Sequence, residues 1–205
     1  MHTFVRLEQK RRIMSNNKTK NQLIFAAGEI FNQYGFKKTT MDDIAYAAGK
    51  GKSSLYYYFK NKEEVFEAVV DSEAEHLKEE IISEAKQLTK AVDKLRVYIL
   101  IRMKRFVNRG NLYAALNDDF LVTFGFIEKI RNKHREWELE MLHNILKEGI
   151  SAKEFKNVDI EFISNALLIA MIGFEKPLLQ KTESEKEFEN KINEVINMML
   201  YGICT

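Results

Sequence analysis

Proline occurs once in this 205-residue chain, at Pro177, and the nine glycines fall mostly where apolar patterns stop. Between those points apolar residues recur at the three-to-four-residue spacing of one helix face, and the alternating pattern of a half-buried strand is nearly absent. Leu23, Ala27, Ile30, Phe31 and Tyr34 stand at i, i+4, i+7, i+8 and i+11 ahead of Gly35, so a first helix is predicted over about residues 17–34, with the glycine just past its end. The same periodicity continues downstream, and the fold class it predicts is all-α.

Local signals divide the first part of the chain finely. Thr40 precedes Met41-Asp42-Asp43-Ile44-Ala45; its hydroxyl can accept from free backbone N–H groups, and the two acids suit the positive end of a helix. A short second helix therefore begins there and stops at Gly49. A third fits between Gly51 and Lys60, and a fourth starts at Asn61 with Glu64 three residues on, the spacing of a capping box. Val65, Phe66, Val69, Val70, Leu77 and Ile81 carry that fourth helix on. Four more are predicted over about 92–108, 118–148, 158–180 and 184–201, with breaks at Gly110-Asn111, Gly149-Ile150-Ser151 and Lys181-Thr182.

The formal net charge of +2 hides an asymmetry. Residues 1–62 carry twelve lysines and arginines against four acids, a net of +8, which leaves −6 for the rest. A basic segment of that kind is the footprint of a polyanion such as nucleic acid, or else a solvated face. The single cysteine, Cys204, excludes an internal disulfide and a cysteine-based zinc site. With no apolar run of membrane-spanning length and no signal-peptide pattern at the start, a cytoplasmic location is expected. His2, His76, His134 and His143 form no metal-binding or triad spacing, and no glycine-rich phosphate loop is present, so neither a catalytic residue, a metal site nor a cofactor is expected.

The stretch Ser53-Ser54-Leu55-Tyr56-Tyr57-Tyr58-Phe59 asks why four aromatics stand in a row. At 100° per residue Leu55 and Phe59 share one face, Lys52 and Tyr56 lie at its border, and Ser53 and Tyr57 project further round. Leu55 and Phe59 then anchor the helix to Ile44, Ala45 and the first helix. Two readings of the remaining side chains stand side by side: donors and stacking surfaces for base edges and phosphates, or an amphipathic packing face with wet hydroxyls.

The succession Phe31-x-x-x-Gly35-Phe36, Thr39-Thr40-Met41-Asp42-Asp43-Ile44-Ala45, Ala48-Gly49 and Ser54-Leu55-Tyr56-Tyr57-Tyr58-Phe59-Lys60-Asn61-Lys62-Glu63 resembles the helix-turn-helix of TetR-type transcriptional regulators. The chain departs from that pattern at Lys50 and Gly51, where the family usually has an apolar residue and a serine. The resemblance implies a basic tail over 1–16, a DNA-binding helix-turn-helix over 17–64, and a helical ligand-binding and dimerisation domain over 65–205. It implies DNA contacts at Thr40, Lys52, Ser53, Ser54, Tyr56, Tyr57, Tyr58 and Lys62. Thr40 and Lys62 would hold phosphates, Lys52 and Ser53 would read base edges, and the tyrosines would divide between phosphate contact and packing. The basic residues ahead of Asn17 admit three readings: a minor-groove arm, a disordered tail, or a start codon placed upstream of Met14.

Downstream, residues Asn165 to Phe174 are apolar on all sides, and Phe188, Ile192, Val195 and Met199 form a stripe at i, i+4, i+7 and i+11. A pair of such helices is expected to bury one side internally and one against a partner, with Ile169, Ile172, Phe188, Ile192, Val195 and Met199 at the interface of a homodimer. The resemblance further implies a cavity for an apolar small-molecule ligand among Met103, Phe106, Tyr113, Phe120, Phe124, Trp137 and Met141. The function implied is a ligand-responsive transcriptional repressor that binds a palindromic DNA operator as a homodimer. The alternative is a helical small-molecule carrier whose N-terminal bundle does not read DNA sequence.

Overall fold

A computed structural model describes residues 2–107, 125–180 and 185–204. Among the described residues there are eight helices: α1 His2–Lys38, α2 Met41–Ala47, α3 Lys52–Tyr58, α4 Lys62–Ala85, α5 Ala91–Val107, α6 Gly125–Ser151, α7 Ile160–Gln180 and α8 Glu185–Ile203. The all-α expectation holds. One boundary differs at the start: α1 is helical from His2, so the basic segment expected as a tail continues the first helix. Glu, Gln, Lys, Arg and Leu in that segment are good helix formers, and no glycine or proline interrupts it. The helix breaks at Gly35, whose φ of 78° lies outside the helical region.

Among the described residues, 2–73 and 125–127 belong to one compact unit and 74–107 and 128–204 to another, so one border falls inside α4 at Glu73/Ala74 and a second inside α6 at Ile127/Glu128. A continuous helix therefore crosses each border, and no linker composition marks either in the sequence. The first unit is built on Leu23, Ala27 and Phe31 of α1, Ile44 and Ala45 of α2, Leu55 and Phe59, and Val65, Phe66, Val69 and Val70 of α4, all buried. Phe31, Phe36 and Phe66 form a triangle of rings with centroids 5.7, 5.3 and 5.1 Å apart. Phe31 and Phe36 are stacked and Phe66 meets both edge to face; such pairs are worth about 0.5–1.5 kcal/mol each beyond the area they bury. They fix α1, the turn after it and the start of α4 to one another.

The second unit is organised round α5, whose Ala91, Leu95, Tyr98, Ile99 and Met103 are buried in one cluster with Leu142, Ile145 and Leu146 of α6, Leu167, Leu168 and Met171 of α7, and the apolar stripe of α8. Ion pairs bracket that packing: Lys94 to Glu148 at 2.6 Å, Arg102 to Glu138 at 2.7 Å, and Lys104 to Glu189 at 2.5 Å. Arg102 is buried, and the hydroxyl of Tyr98 also donates to Glu138, at 3.2 Å. After α6 the chain turns tightly so that Phe155 drops onto Gly149, where a Cβ would stand 2.1 Å from the Phe155 ring. Only glycine fits there. Glu154 then accepts from the backbone N–H of Val92 at the start of α5, and Asp159 caps α7 by accepting from Phe162 N at 3.0 Å.

The α8 stripe corrects part of the interface expectation. Phe188, Ile192 and Met199 are buried within the single chain, together with Ile196, Leu200 and Ile203. A strongly one-sided helix satisfies its apolar stripe against its own core first. Of the six residues expected at a partner surface, Ile169 is 60% exposed, while Ile172 and Val195 are half-buried. The apolar side chains left uncovered are instead Phe162 and Ile169 on α7 and Met198 and Tyr201 on α8. Phe162 and Ile169 are seven residues apart and therefore share a face of α7.

Candidate nucleic-acid interface

The interface is assembled by two capping arrangements and a glycine turn. At the head of α2 the Thr40 hydroxyl accepts from Asp43 N at 3.2 Å, and the Asp43 carboxylate accepts in return from Thr40 N at 2.8 Å and Thr40 Oγ1 at 2.7 Å. Those hydrogen bonds hold the Asp43 carboxyl below its ordinary pKa, the side-chain bond from Thr40 being the larger cause. The helix ends at Gly49, whose φ of 60° is left-handed and whose N–H donates to Tyr46 O at 3.0 Å. Space does not demand glycine here, since an added Cβ would meet nothing within 4 Å; the backbone conformation does. α3 follows after two residues. Its N-cap is Gly51, with no side-chain cap, as the departure at Lys50-Gly51 implies.

Leu55 and Phe59 are buried and dock α3 onto the first unit. The opposite face is open: Lys52, Ser53, Tyr56 and Tyr57 are exposed, Tyr57 at 71%, while Ser54 and Tyr58 are half-buried. The Tyr57 and Tyr58 rings stand edge to face with centroids 4.9 Å apart. Lys52 Nζ lies 2.5 Å from Asp42 Oδ2, both side chains more than half exposed. The hydrogen bond to Asp42 raises the lysine's pKa, with the carboxylate's charge adding to it. The pair bridges the uncapped start of α3 to α2. Its ten-residue spacing follows no helical period, so periodicity does not reveal it. Tyr46 of α2, 89% exposed, is a further large polar aromatic that the motif does not single out.

Lys62 stands at the start of α4. The resemblance implies that it holds a phosphate; two of its three ammonium donors go to Phe36 O and Thr39 O, each at 2.8 Å, and the nitrogen lies 4.4 Å from the centre of the Phe36 ring. Carbonyls at the end of α1 carry partial negative charge and attract a cation. Burial pushes the Lys62 pKa down. Its neighbours complete the junction: Asn61 Oδ1 accepts from Glu64 N at 2.8 Å, and Glu64 Oε2 accepts from Lys60 N at 2.8 Å.

In the second unit Met103 is buried, and Trp137 and Met141 are half-buried against the core cluster. The side chain of Phe106, and the whole of Tyr113, Phe120 and Phe124, lie outside the described residues. Among the described residues no group of three His, Cys, Asp or Glu side chains is placed to hold a metal ion, and no helix is long and apolar enough to cross a membrane.

The arrangement of a short capped helix, a left-handed glycine turn and a second short helix with an open polar face matches, over residues 23–69, the model for bacterial regulatory proteins of the tetR family. Residues 115–196 match the tetracyclin repressor-like C-terminal domain. The protein belongs to the TetR family. A transcriptional regulator from Cytophaga hutchinsonii is similar to this TetR-family chain at 30% identity, with 89% of this chain and 97% of that one covered and a TM-score of 0.74. The negative transcriptional regulator of the biofilm operon icaADBC from Staphylococcus aureus, IcaR, is 22% identical over 197 residues, which cover 88% of this chain and 98% of the relative. FadR of Bacillus subtilis, solved in complex with stearoyl-CoA, shares the fold at 22% identity and a TM-score of 0.74, with 89% and 98% of the two chains covered. This TetR-family protein is thus a helix-turn-helix transcriptional regulator.

Proposed function

We propose that the protein is a homodimeric repressor that binds a palindromic DNA operator through α3 and releases it when an acyl-type ligand occupies the second unit. The observation that carries the reading is the open face of α3, where Lys52, Ser53, Tyr56 and Tyr57 project from a helix whose other face is anchored by Leu55 and Phe59. Hydroxyl and ammonium donors on a helix of this size suit base edges and phosphates in a major groove. Thr40 and Ser54 complete the phosphate-facing set in this reading, and Tyr58 serves mainly as packing. Uncovered Phe162, Ile169, Met198 and Tyr201 supply the dimer surface. The negative regulation attributed to the IcaR relative supports repression, and the stearoyl-CoA complex of the FadR neighbour supports an acyl effector. α4, 24 residues and about 36 Å long, runs on from the junction after α3.

Selection of bound sequences from a random duplex library tests the reading. A palindromic site bound at least about 10³-fold more tightly than scrambled DNA is expected, and a panel of acyl-CoA thioesters is expected to weaken that binding. A chain with no preference among duplexes would be a carrier, and the repressor reading would be wrong.

A further inference from the structure

We infer that Asp42 is a specificity-determining residue, the acceptor half of a two-helix reading pair in which Lys52 donates to one base of a base pair while Asp42 accepts from the exocyclic amino group of the other. The inference rests on the DNA-binding reading above, in which Lys52 reads a base edge. Whatever stands 2.5 Å from the Lys52 ammonium enters the groove with it, and that group is the Asp42 carboxylate of α2. Asp42 has no part in the cap of its own helix, which Thr40 and Asp43 complete between them. Among the described residues the pair makes a single hydrogen bond, from Lys52 Nζ to Asp42 Oδ2, so Oδ1 is left to accept and two of the three ammonium donors are left to give. Tyr46 and Tyr56, each four residues further along the same face of its helix, are exposed as well. The faces that carry the pair are therefore open on both helices.

The separation of the two groups matches what a base pair offers. Guanine O6 and cytosine N4 are hydrogen-bonded to each other, as are thymine O4 and adenine N6, so an acceptor and a donor lie side by side on the major-groove edge about 2.9 Å apart. An ammonium and a carboxylate 2.5 Å apart present the complementary order. Polarity follows: the pair takes a keto base, guanine or thymine, on the strand facing Lys52 and an amino base, cytosine or adenine, on the strand facing Asp42. The reversed base pair sets the carboxylate against a carbonyl oxygen and the ammonium against an amino group. Guanine is favoured over thymine, because its N7 takes the ammonium's third donor. A lysine alone would read guanine and also seat on any phosphate; the carboxylate at its side is repelled by phosphates and confines the ammonium to the base edge.

The test uses the full-length protein and the duplex obtained by library selection. Both side chains are exposed, so Lys52→Ala and Asp42→Ala should match the parent in helical circular dichroism and melting. Selections repeated with the two variants should relax the same base-pair position in each half-site, one that the parent holds in a single keto–amino orientation, with a loss of about tenfold in discrimination there. The contact itself is read with a duplex in which the amino base at that position is replaced by an analogue lacking only the exocyclic amino group. The parent should bind this duplex about tenfold more weakly than the selected one, whereas Asp42→Ala, already without the acceptor, should bind the two within about twofold of each other. Three results overturn the inference. A base profile that Asp42→Ala leaves unchanged, whether or not every duplex is then bound more tightly, means that the carboxylate only screens Lys52. Relaxation at a position other than that of Lys52→Ala means that the two side chains do not read as a pair. Equal loss from amino deletion in the parent and in Asp42→Ala means that the carboxylate does not touch the base. A parent protein with no preferred duplex instead removes the regulator reading itself, a separate outcome visible before any variant is made.

Discussion

Two isoleucines of the C-terminal helices, both expected at a partner surface, should respond to the same charge in opposite ways. Ile192 is 0% exposed and Ile169 60% exposed within one chain. Ile192→Asp removes a fully buried side chain, a loss of about 2–5 kcal/mol for truncation alone, and adds a carboxylate with no partner in an apolar cluster. Total stabilities are about 5–15 kcal/mol, so this variant should fail to fold, with low helical circular dichroism and an early or absent melting transition. Ile169→Asp leaves the single chain nearly untouched, since substitutions at exposed positions fall within about 0.5 kcal/mol. In the dimer, however, it places an unpaired charge on each side of the two-fold surface. Several kcal/mol are then lost from association, and each 1.4 kcal/mol is about tenfold in the dissociation constant. Sedimentation velocity at micromolar concentration should show a dimer for the parent and a folded monomer for Ile169→Asp. A dimeric Ile169→Asp protein, or an Ile192→Asp protein that folds and is merely monomeric, would show that the exposed face of α7 had been misassigned.

Three further outcomes follow from the same geometry. Lys52→Ala should change which base is preferred in the selected duplex and lower the salt slope by up to about 0.9 for each phosphate that the ammonium no longer neutralises, both read by repeating the selection and a salt titration. Gly149→Ala should lower the melting temperature, because the new Cβ would stand 2.1 Å from the Phe155 ring and the turn must open at a cost of about 1–3 kcal/mol; an unchanged melting temperature would mean that the turn is loose. The Asp43 carboxyl, its folded-state pKa held below the ordinary 3.8 by Thr40, contributes stability that is complete above that ordinary value and lost as pH falls through the lower folded one. A carbon-detected titration should therefore find Asp43 below 3.8 in the parent and nearer the ordinary value in Thr40→Ala.

The legible parts of this chain are those in which one residue type settles a local question. Thr40, Gly49 and Asn61 each answer a backbone requirement within four residues of themselves, so the edges of α2, the turn and the start of α4 can be placed from sequence alone. Leu55 and Phe59 likewise identify the buried face of α3 by spacing. What escapes is the choice between two partners of equal chemistry. The α8 stripe says that one face is apolar, but an apolar face has the same composition whether it meets its own α5 or a second copy, and only the exposure of Ile169, Met198 and Tyr201 separates the cases. Lys62 poses the same ambiguity in charge. An ammonium beside a DNA-reading helix suits a phosphate oxygen and a backbone carbonyl alike, and the carbonyls of Phe36 and Thr39, 26 and 23 residues earlier, are brought to it by an aromatic triangle that no periodicity encodes. Ambiguity of this kind falls where tertiary contacts and binding can draw on the same group.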